Sequence, residues 1–251
     1  MGGMISVTVL TFNSAETLGA TLDSLVGFDD VVVLDNGSKD DTLGLAAGYS
    51  NVRVFHSEFI GFGPLHNLAS GYAKHDFILS IDADEVMTKE SIDEICGLSL
   101  DGGTVYGVLF RNYFNGKWIR FCGWYPEHKL RMYNRKVTLF TDDFVHETIL
   151  TKGLKVVYLK KPVSHFSYRK ISHFLVKMEK YSELFGDQNR GRRSSSLWKA
   201  ILKSWAAFFR CYILKIGFLD GMEGYIISRY QADVAYYKYL KLYEKNLNLH
   251  L

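Results

Sequence analysis

The chain has 251 residues, 47% of them hydrophobic, 23% charged and 15% aromatic, which excludes a disordered chain and fits one large domain, or one domain with a C-terminal extension. Cys96, Cys122 and Cys211 are odd in number, far apart and without a C-x-x-C pair, which argues against a disulfide framework or a zinc site and suits a reducing compartment. The net charge of +3 hides an asymmetry: residues 1–164 hold 15 Lys and Arg against 20 Asp and Glu, while residues 165–251 hold 15 against 7, so the two parts are expected to meet different partners.

The start MGGMIS formally matches the M-G-x-x-x-S acylation pattern. A strand beginning near Ile5 leaves no spacer for a lipid, and a chance match or a cloning remnant is preferred. Ile5–Leu10 is a β-branched apolar run; Leu18, Leu22 and Leu25 follow at helical spacing; "DVVVLD" (Asp30–Asp35) is a second strand. Thr42–Tyr49 predicts a helix, Val52–Phe55 a strand, Leu65–Ala73 a helix and Phe77–Ile81 a fourth strand. This alternation predicts a parallel sheet with right-handed crossovers, in which ligands bind beyond the carboxyl ends of the strands. "TVYGVLFRNYF", "KWIRF", "KLRMYNRKVTLF" and "LKVVYLK", between residues 104 and 161, read as further strands, several antiparallel. Long helices follow at Ile171–Phe185, Leu197–Lys215 and Met222–Glu244, with "NRGRRSSS" (Asn189–Ser196) as a flexible link.

Three polar clusters fall at the ends of the predicted parallel strands and so on one rim: "TFN" (Thr11, Phe12, Asn13), "DNGSKDDT" (Asp35–Thr42) and "DADE" (Asp82–Glu85). In an extended chain Asp82 and Asp84 would point to one spot, and two converging carboxylates call for a cation or a donor cluster. A solvated strand end leading into a helix is the plain alternative. In "DNGSKDDT", Asp35 is placed to accept the N–H of a base such as uracil, with the Gly37 and Ser38 backbone letting a nucleotide come close; a simple Asn-Gly turn is the competing reading. "GFGPLHN" (Gly61–Asn67) lacks the third glycine of a dinucleotide loop and follows the wrong strand. It reads as a helix start with Pro64 in the first turn, or as a loop over a sugar diphosphate.

"VTVLTFN", "VVVLDNGSKDDT", "GFG…HN.A" and "ILSIDADE", in this order and spacing, resemble the inverting family 2 glycosyltransferases of GT-A fold. "GWYPEHKLRMYNR", "DDFVHE", "HFSYR" and "FLDGMEGYIISRY" narrow the resemblance to bacterial lipopolysaccharide inner-core β-glucosyltransferases. The resemblance covers nearly the whole chain. It implies an α/β fold with a Rossmann-like, mostly parallel central sheet, an antiparallel acceptor-side portion and a C-terminal helical extension. Residues 1–168 would form the catalytic domain (1–100 the nucleotide-sugar half, 101–168 the acceptor half) and 169–251 the basic, aromatic-rich extension.

The resemblance also implies chemistry. A divalent cation, Mg²⁺ or Mn²⁺, would neutralise the leaving diphosphate through Asp84, with Asp82 on ribose or metal-bound water and His165 as a later metal ligand. Thr11, Phe12, Asn13, Asp35, Asn36, Gly37, Ser38, His66, Asn67, Asp82 and Arg131 form the expected donor-binding set, although similar enzymes often carry Arg or Lys at the position of His66. The base that takes the acceptor proton lies in "TDDFVHET": Glu147 is favoured, Asp143 is the reserve, and Asp142 is the third carboxylate of the string. His146 and His165, each taken singly, also fit ordinary partly buried histidines.

The expected function is metal-dependent transfer of a hexose, glucose by preference, from a UDP-sugar to a hydroxyl of a lipopolysaccharide core or related glycan or glycolipid. Another polysaccharide, a protein or a polyprenyl phosphate is the alternative acceptor, and a nucleotidyltransferase is the alternative class. The C-terminal segment combines Arg190, Arg192, Arg193, Lys199, Lys203, Arg210 and Lys215 with Trp198, Trp205, Phe208, Phe209 and Tyr212. Two readings stand level there: docking on an anionic membrane surface, or a helix packed on the catalytic domain with snorkelling cations. Nucleic acid is not an expected partner, because no recognised module accompanies the charge. Without a basic-apolar leader or an apolar run of about 18 residues, the expectation is a cytoplasmic protein, peripheral at most on the inner face of the membrane. Oligomeric state is left open.

Overall fold

The structure is a computed structural model that describes residues 4–143, 147–168 and 170–247. Strands β1 (Ile5–Thr11), β2 (Val31–Asp35) and β4 (Phe77–Asp82) follow from apolar runs that are mostly buried, as the inner strands of a parallel sheet under helices must be, whereas β3 (Val52–His56), at the sheet edge, is only half-buried. Helices α1 (Ala15–Ser24), α2 (Thr42–Ala47) and α3 (Phe62–Gly71) connect them. Gly61, at φ +105°, starts α3, and Pro64 sits in its first turn.

After β4 the chain turns sharply into the two-residue β5 (Glu85–Val86) and then α4 (Lys89–Cys96). The N-terminus of α4 is fixed by a reciprocal capping box between Thr88 and Ser91. The remaining strands are β6 (Thr104–Phe114), β7 (Lys117–Trp118), β8 (Glu127–Asn134) and β9 (Lys155–Tyr168). The sheet order is β3-β2-β1-β4-β8-β6-β9-β5, with β7 on β6. β1 to β4 pair in parallel, whereas β8 on β4, β6 on β8, β7 on β6 and β5 on β9 are antiparallel. Strand β9 runs past the predicted "LKVVYLK" to Tyr168, so His165 lies within a strand rather than after one.

Long helices α5 (Ile171–Asn189), α6 (Leu197–Phe209) and α7 (Gly221–Leu247) complete the chain. The helix expected to Lys215 is α-helical to Phe209 and continues as a wider, π-helical turn over Arg210–Leu214; a tight turn follows at Gly217–Asp220. Among the described residues no helix is long and apolar enough to cross a membrane.

Two compact units emerge. The first comprises Met1–Phe110 and Glu127–His165, the second Arg111–Pro126 and Phe166–Leu251. The first is built around Val7, Val9, Leu22, Leu79, Ile81 and Phe110, all buried, each contributing about 1.5–3 kcal/mol by leaving water. The second joins the hairpin residues Phe114, Ile119 and Cys122 to Phe174, Cys211, Ile227 and Tyr230. Its hairpin turns at Asn115-Gly116, both at positive φ, the type I′ geometry that Asn-Gly favours. Asp220 secures the returning segment by accepting from the Phe121 N–H at 2.8 Å. Cys122 and Cys211, 89 residues apart in sequence, meet in this core as free thiols.

Candidate active site

The carboxyl ends of β1, β2 and β4 do share a rim. Thr11 pairs with Asp35 and Leu10 with Asp82 in register. Asp35 is buried, and each of its oxygens accepts two protein donors: Oδ1 from the Thr11 hydroxyl (3.1 Å) and the Ser38 hydroxyl (2.5 Å), Oδ2 from the Gly37 and Ser38 N–H groups (both 2.9 Å). Burial pushes this carboxyl up, but the bonds from Ser38, Gly37 and Thr11 prevail and hold it below the usual carboxylate range. Its role in the structure is to shape the loop.

Asn13, in the left-handed region at φ +49°, ties the first rim segment to the second. Its N–H donates to Ser38 Oγ and its Oδ1 accepts from the Lys39 N–H, both at 2.8 Å. Asn36 donates from its backbone to the Thr11 carbonyl (3.0 Å) and from its side chain to the Ser57 carbonyl (3.4 Å). Phe12 is exposed beside this lattice, and a Cβ at Gly37, whose φ is +93°, would meet open space. The surface left for a flat ligand is therefore backbone, the Phe12 ring and Gly37.

At the end of β4 the geometry departs from the extended-chain expectation. The strand stops at Asp82, Ala83 and Asp84 form a turn, and Glu85 starts β5. The Thr21 hydroxyl donates to the Ala83 carbonyl at 3.0 Å and pins the turn to α1. Strand alternation no longer applies, and the carboxylates part company. Asp82 meets Arg131 of β8, whose Nη2 lies 2.5 Å from Oδ2 and Nη1 3.3 Å from Oδ1. Glu85, wholly buried, accepts from Arg131 Nη2 (3.0 Å) and from the Asp82 N–H (2.9 Å). Asp84 instead points to His165 on β9, with Oδ1 3.6 Å from Nε2; β5 and β9 bring Glu85 and His165 into register.

The charges are coupled. Burial opposes ionisation of Asp82, but Arg131 outweighs it and holds this carboxyl well below its usual range. Burial and the neighbouring Asp82 push Glu85 up to about 8 against the pull of Arg131. Arg131 is buried, which alone would weaken its hold on the proton, yet Asp82, Glu85 and Glu147 keep it firmly cationic. Arg131, one of the residues expected to bind the donor, is the counter-ion of the acidic turn in this structure. Lys129, two residues earlier on the same face of β8, acts on Asp82, Glu85 and His165, with its Nζ 5.1 Å from the centre of the Phe110 ring.

His66 lies buried beneath this group. Its Nδ1 is 2.9 Å from the Ser80 hydroxyl, its ring stacks on Phe140, and burial lowers its pKa to about 4. It brings no positive charge at neutral pH. Asn67 is taken up by the backbone of Phe140, donating to its carbonyl (3.0 Å) and accepting from its N–H (2.9 Å). Asp142 and Asp143 are exposed, and the Asp143 carbonyl accepts from the Gly63 N–H at 3.2 Å. Glu147 is half-buried and within electrostatic reach of Arg131. His146 lies outside the described residues.

Among the described residues no group of three His, Cys, Asp or Glu converges as a ready-made metal cage. What the rim does hold is a carboxylate and an imidazole side by side, Asp84 31% and His165 12% exposed. Burial lowers the proton affinity of His165 and so favours the neutral, ligating form of the ring. Such a pair suits a hard cation that takes one or two protein ligands and completes its shell with phosphate oxygens and water. Asp82, the other expected ligand, is engaged by Arg131 but keeps a 37% exposed side chain. Sequence reasoning gave no role to Glu85, Lys129 and Phe110. The signals were present: Glu85 closes the "DADE" string, and Lys129 stands at i−2 from Arg131 on a strand.

The sheet is mixed rather than mostly parallel, with β1 to β4 parallel and the rest antiparallel, and together with the polar rim and acidic turn at the carboxyl edge of the parallel half it is consistent with the GT-A fold of glycosyltransferases. Residues 6–152 match the Glycosyl transferase family 2 profile, and the chain belongs to that family of enzymes. It is 26% identical to the lipopolysaccharide core biosynthesis glycosyltransferase LpsC of Rhizobium meliloti over 96% of this chain and 93% of that protein. It is also 26% identical to an uncharacterized glycosyltransferase of Rickettsia bellii over 97% of this chain and 87% of that one. Among solved structures, TarS 1–349 of S. aureus in complex with UDP-GlcNAc superposes with a TM-score of 0.51 at 17% identity, covering 97% of this chain and 89% of that one, a likeness of fold.

Proposed function

We propose that the protein transfers a hexose, glucose by preference, from a UDP-sugar to a hydroxyl of a lipopolysaccharide core glycan, with inversion and with a divalent cation. The observation that carries this reading is the acidic turn, which sets Asp84 against His165 on the rim while Arg131 secures Asp82 and Glu85 behind it. The similarity to LpsC over nearly the whole length of both chains supports a core-glycan acceptor.

Mg²⁺ or Mn²⁺ held by Asp84 and His165 would supply charge neutralisation for the diphosphate leaving group. The other roles belong to the chain. The Asn13–Ser38–Lys39 lattice positions the nucleotide, and Lys129 and Arg131 add positive potential beside the diphosphate. The acceptor oxygen forms its bond to the anomeric carbon as the bond from that carbon to the diphosphate oxygen breaks. The hydroxyl proton passes to Glu147, and UDP departs.

A calorimetric and thermal-shift panel of nucleotides and nucleotide sugars, with Mn²⁺, Mg²⁺ or EDTA, tests the reading. Saturating UDP and one UDP-sugar at about a hundredfold over Kd should stabilise the protein by about 2.7 kcal/mol. Asp84→Ala should lose the metal-dependent part of that gain. Glu147→Gln should keep donor binding and lower transfer by about 10²–10⁴-fold. No response to any UDP compound would overturn the donor assignment, and the Glu147 phenotype appearing in Asp143→Asn instead would overturn the choice of base.

A further inference from the structure

Helix α6 is inside out for a helix in water. It buries its small residues, Ala200 and Ala207, and turns its largest outward: Trp198 and Trp205 are 74% and 72% exposed, and Leu202 and Phe209 are exposed with them. These four stand at i, i+4, i+7 and i+11, one stripe along the helix. Exposed apolar residues continue beyond it at Leu214, Leu219 and Met222. Phe208 and Tyr212, by contrast, turn to Tyr225 of α7 and belong to the packed side.

The same stretch has one sign of charge. Residues 188–219 contain seven Lys and Arg and no Asp or Glu. Lys203 of α6 and Arg210 just after it, with Lys238 of α7, line a cavity of about 390 Å³ together with Ala206, Ala207, Val234 and Ala235. None of the three has an acidic partner among the described residues, in contrast to Lys241 and Lys245, which are paired with Glu179, Glu183 and Asp187.

An apolar stripe carrying two tryptophans, flanked by unpaired cations, has the chemistry of a helix lying in a membrane interface. At 13 residues α6 is about 20 Å long, too short to span a bilayer and suited to lying along one. A second copy of the chain is the poorer occupant, because it would bring a second set of the cations Lys203, Arg210 and Lys238 beside the same helix. We propose that the second unit docks on an anionic phospholipid bilayer through α6. Trp198, Leu202, Trp205 and Phe209 enter the headgroup–acyl boundary, and the cavity framed by Lys203, Arg210 and Lys238 receives a lipid phosphate. This stands independently of the donor and acceptor assigned above.

The test uses the full chain with vesicles of phosphatidylcholine alone and of phosphatidylcholine with phosphatidylglycerol. Co-sedimentation with the anionic vesicles, weakened by salt and accompanied by a blue shift of tryptophan fluorescence, is expected. W198S/W205S should abolish the blue shift and most of the binding. K203Q/R210Q/K238Q should weaken binding to anionic vesicles roughly a hundredfold, at about one order of magnitude per one to two cations. Circular dichroism identical to the parent protein certifies that both variants fold. Equal binding to neutral and anionic vesicles, or none to either, overturns the proposal. So does a dimer in sedimentation velocity that W198S/W205S converts to monomer while vesicle binding is unaffected.

Discussion

Burying a guanidinium is favourable only when its charge is answered, and at Arg131 the charge is answered by the Asp82 carboxylate, while Glu85 accepts both from Arg131 and from the backbone N–H of Asp82. One side chain thus fixes both ends of the acidic turn and leaves Asp84 free to face His165 on the rim. His66 contributes to the same core by remaining neutral. Its folded pKa of about 4 lies below the ordinary 6.5, so the unfolded chain takes up a proton first as pH falls. The stability this residue contributes is complete above pH 6.5 and is lost progressively between 6.5 and 4, amounting to about 3 kcal/mol at most. Urea denaturation at pH 7 and pH 4.5 should show a smaller acid loss in His66→Gln than in the parent protein. Identical losses would assign the acid limb to other groups, His165 first among them.

At the scale of elements, the contact between α3 and the segment carrying Asp142 and Asp143 depends on a missing side chain. A Cβ at Gly63 would lie 1.8 Å from the Thr141 carbonyl oxygen, whereas one at Gly71, at the other end of the same helix, would meet nothing within 4 Å. Gly63→Ala should therefore cost about 1–3 kcal/mol by overpacking, and Gly71→Ala should be neutral or stabilising by up to about 1 kcal/mol. Melting temperatures of the two variants, measured side by side, check the pair. A harmless Gly63→Ala would mean that the acidic segment yields easily at Thr141.

These elements also show what the sequence made legible. β1, β2 and β4 were readable within one or two residues because their apolar runs admit little else between turn signals, β3 followed from Val52, Val54 and Phe55 in a short segment between helices, and the shared rim followed from their parallel order. The DADE turn was misread as extended chain, since nothing in four residues reveals that Thr21 of α1 pins the Ala83 carbonyl. The pairing of Arg131 with Asp82 is a contact between β8 and β4, 49 residues apart, and periodicity carries no information at that range. In α6 the aromatic and basic composition was plain. Which aromatic side chains face out depends on where α7 packs.

At the scale of the whole molecule, the second unit is assembled from two separated stretches of chain, Arg111–Pro126 and Phe166–Leu251. Phe114, Ile119 and Cys122 of the first stretch are buried against Phe174, Cys211, Ile227 and Tyr230 of the second. A protein ending after Tyr168 would keep the sheet-forming residues of the first unit yet leave these hairpin side chains without partners. Such a truncation should give aggregated or detergent-dependent material, measured as loss of the soluble monomer peak in size-exclusion chromatography. A stable soluble monomer would show that the hairpin tolerates water.

The same interleaving governs the order of events at the ribosome. The Asn115-Gly116 hairpin leaves the tunnel some 60 residues before Phe174 and some 110 before Ile227 and Tyr230. At about 5–20 residues per second, its apolar face waits for roughly 3–20 seconds. During that interval the nascent chain carries a greasy hairpin that only the last third of the polypeptide can cover, so chaperone demand should peak in the middle of synthesis and be relieved only as α7 emerges.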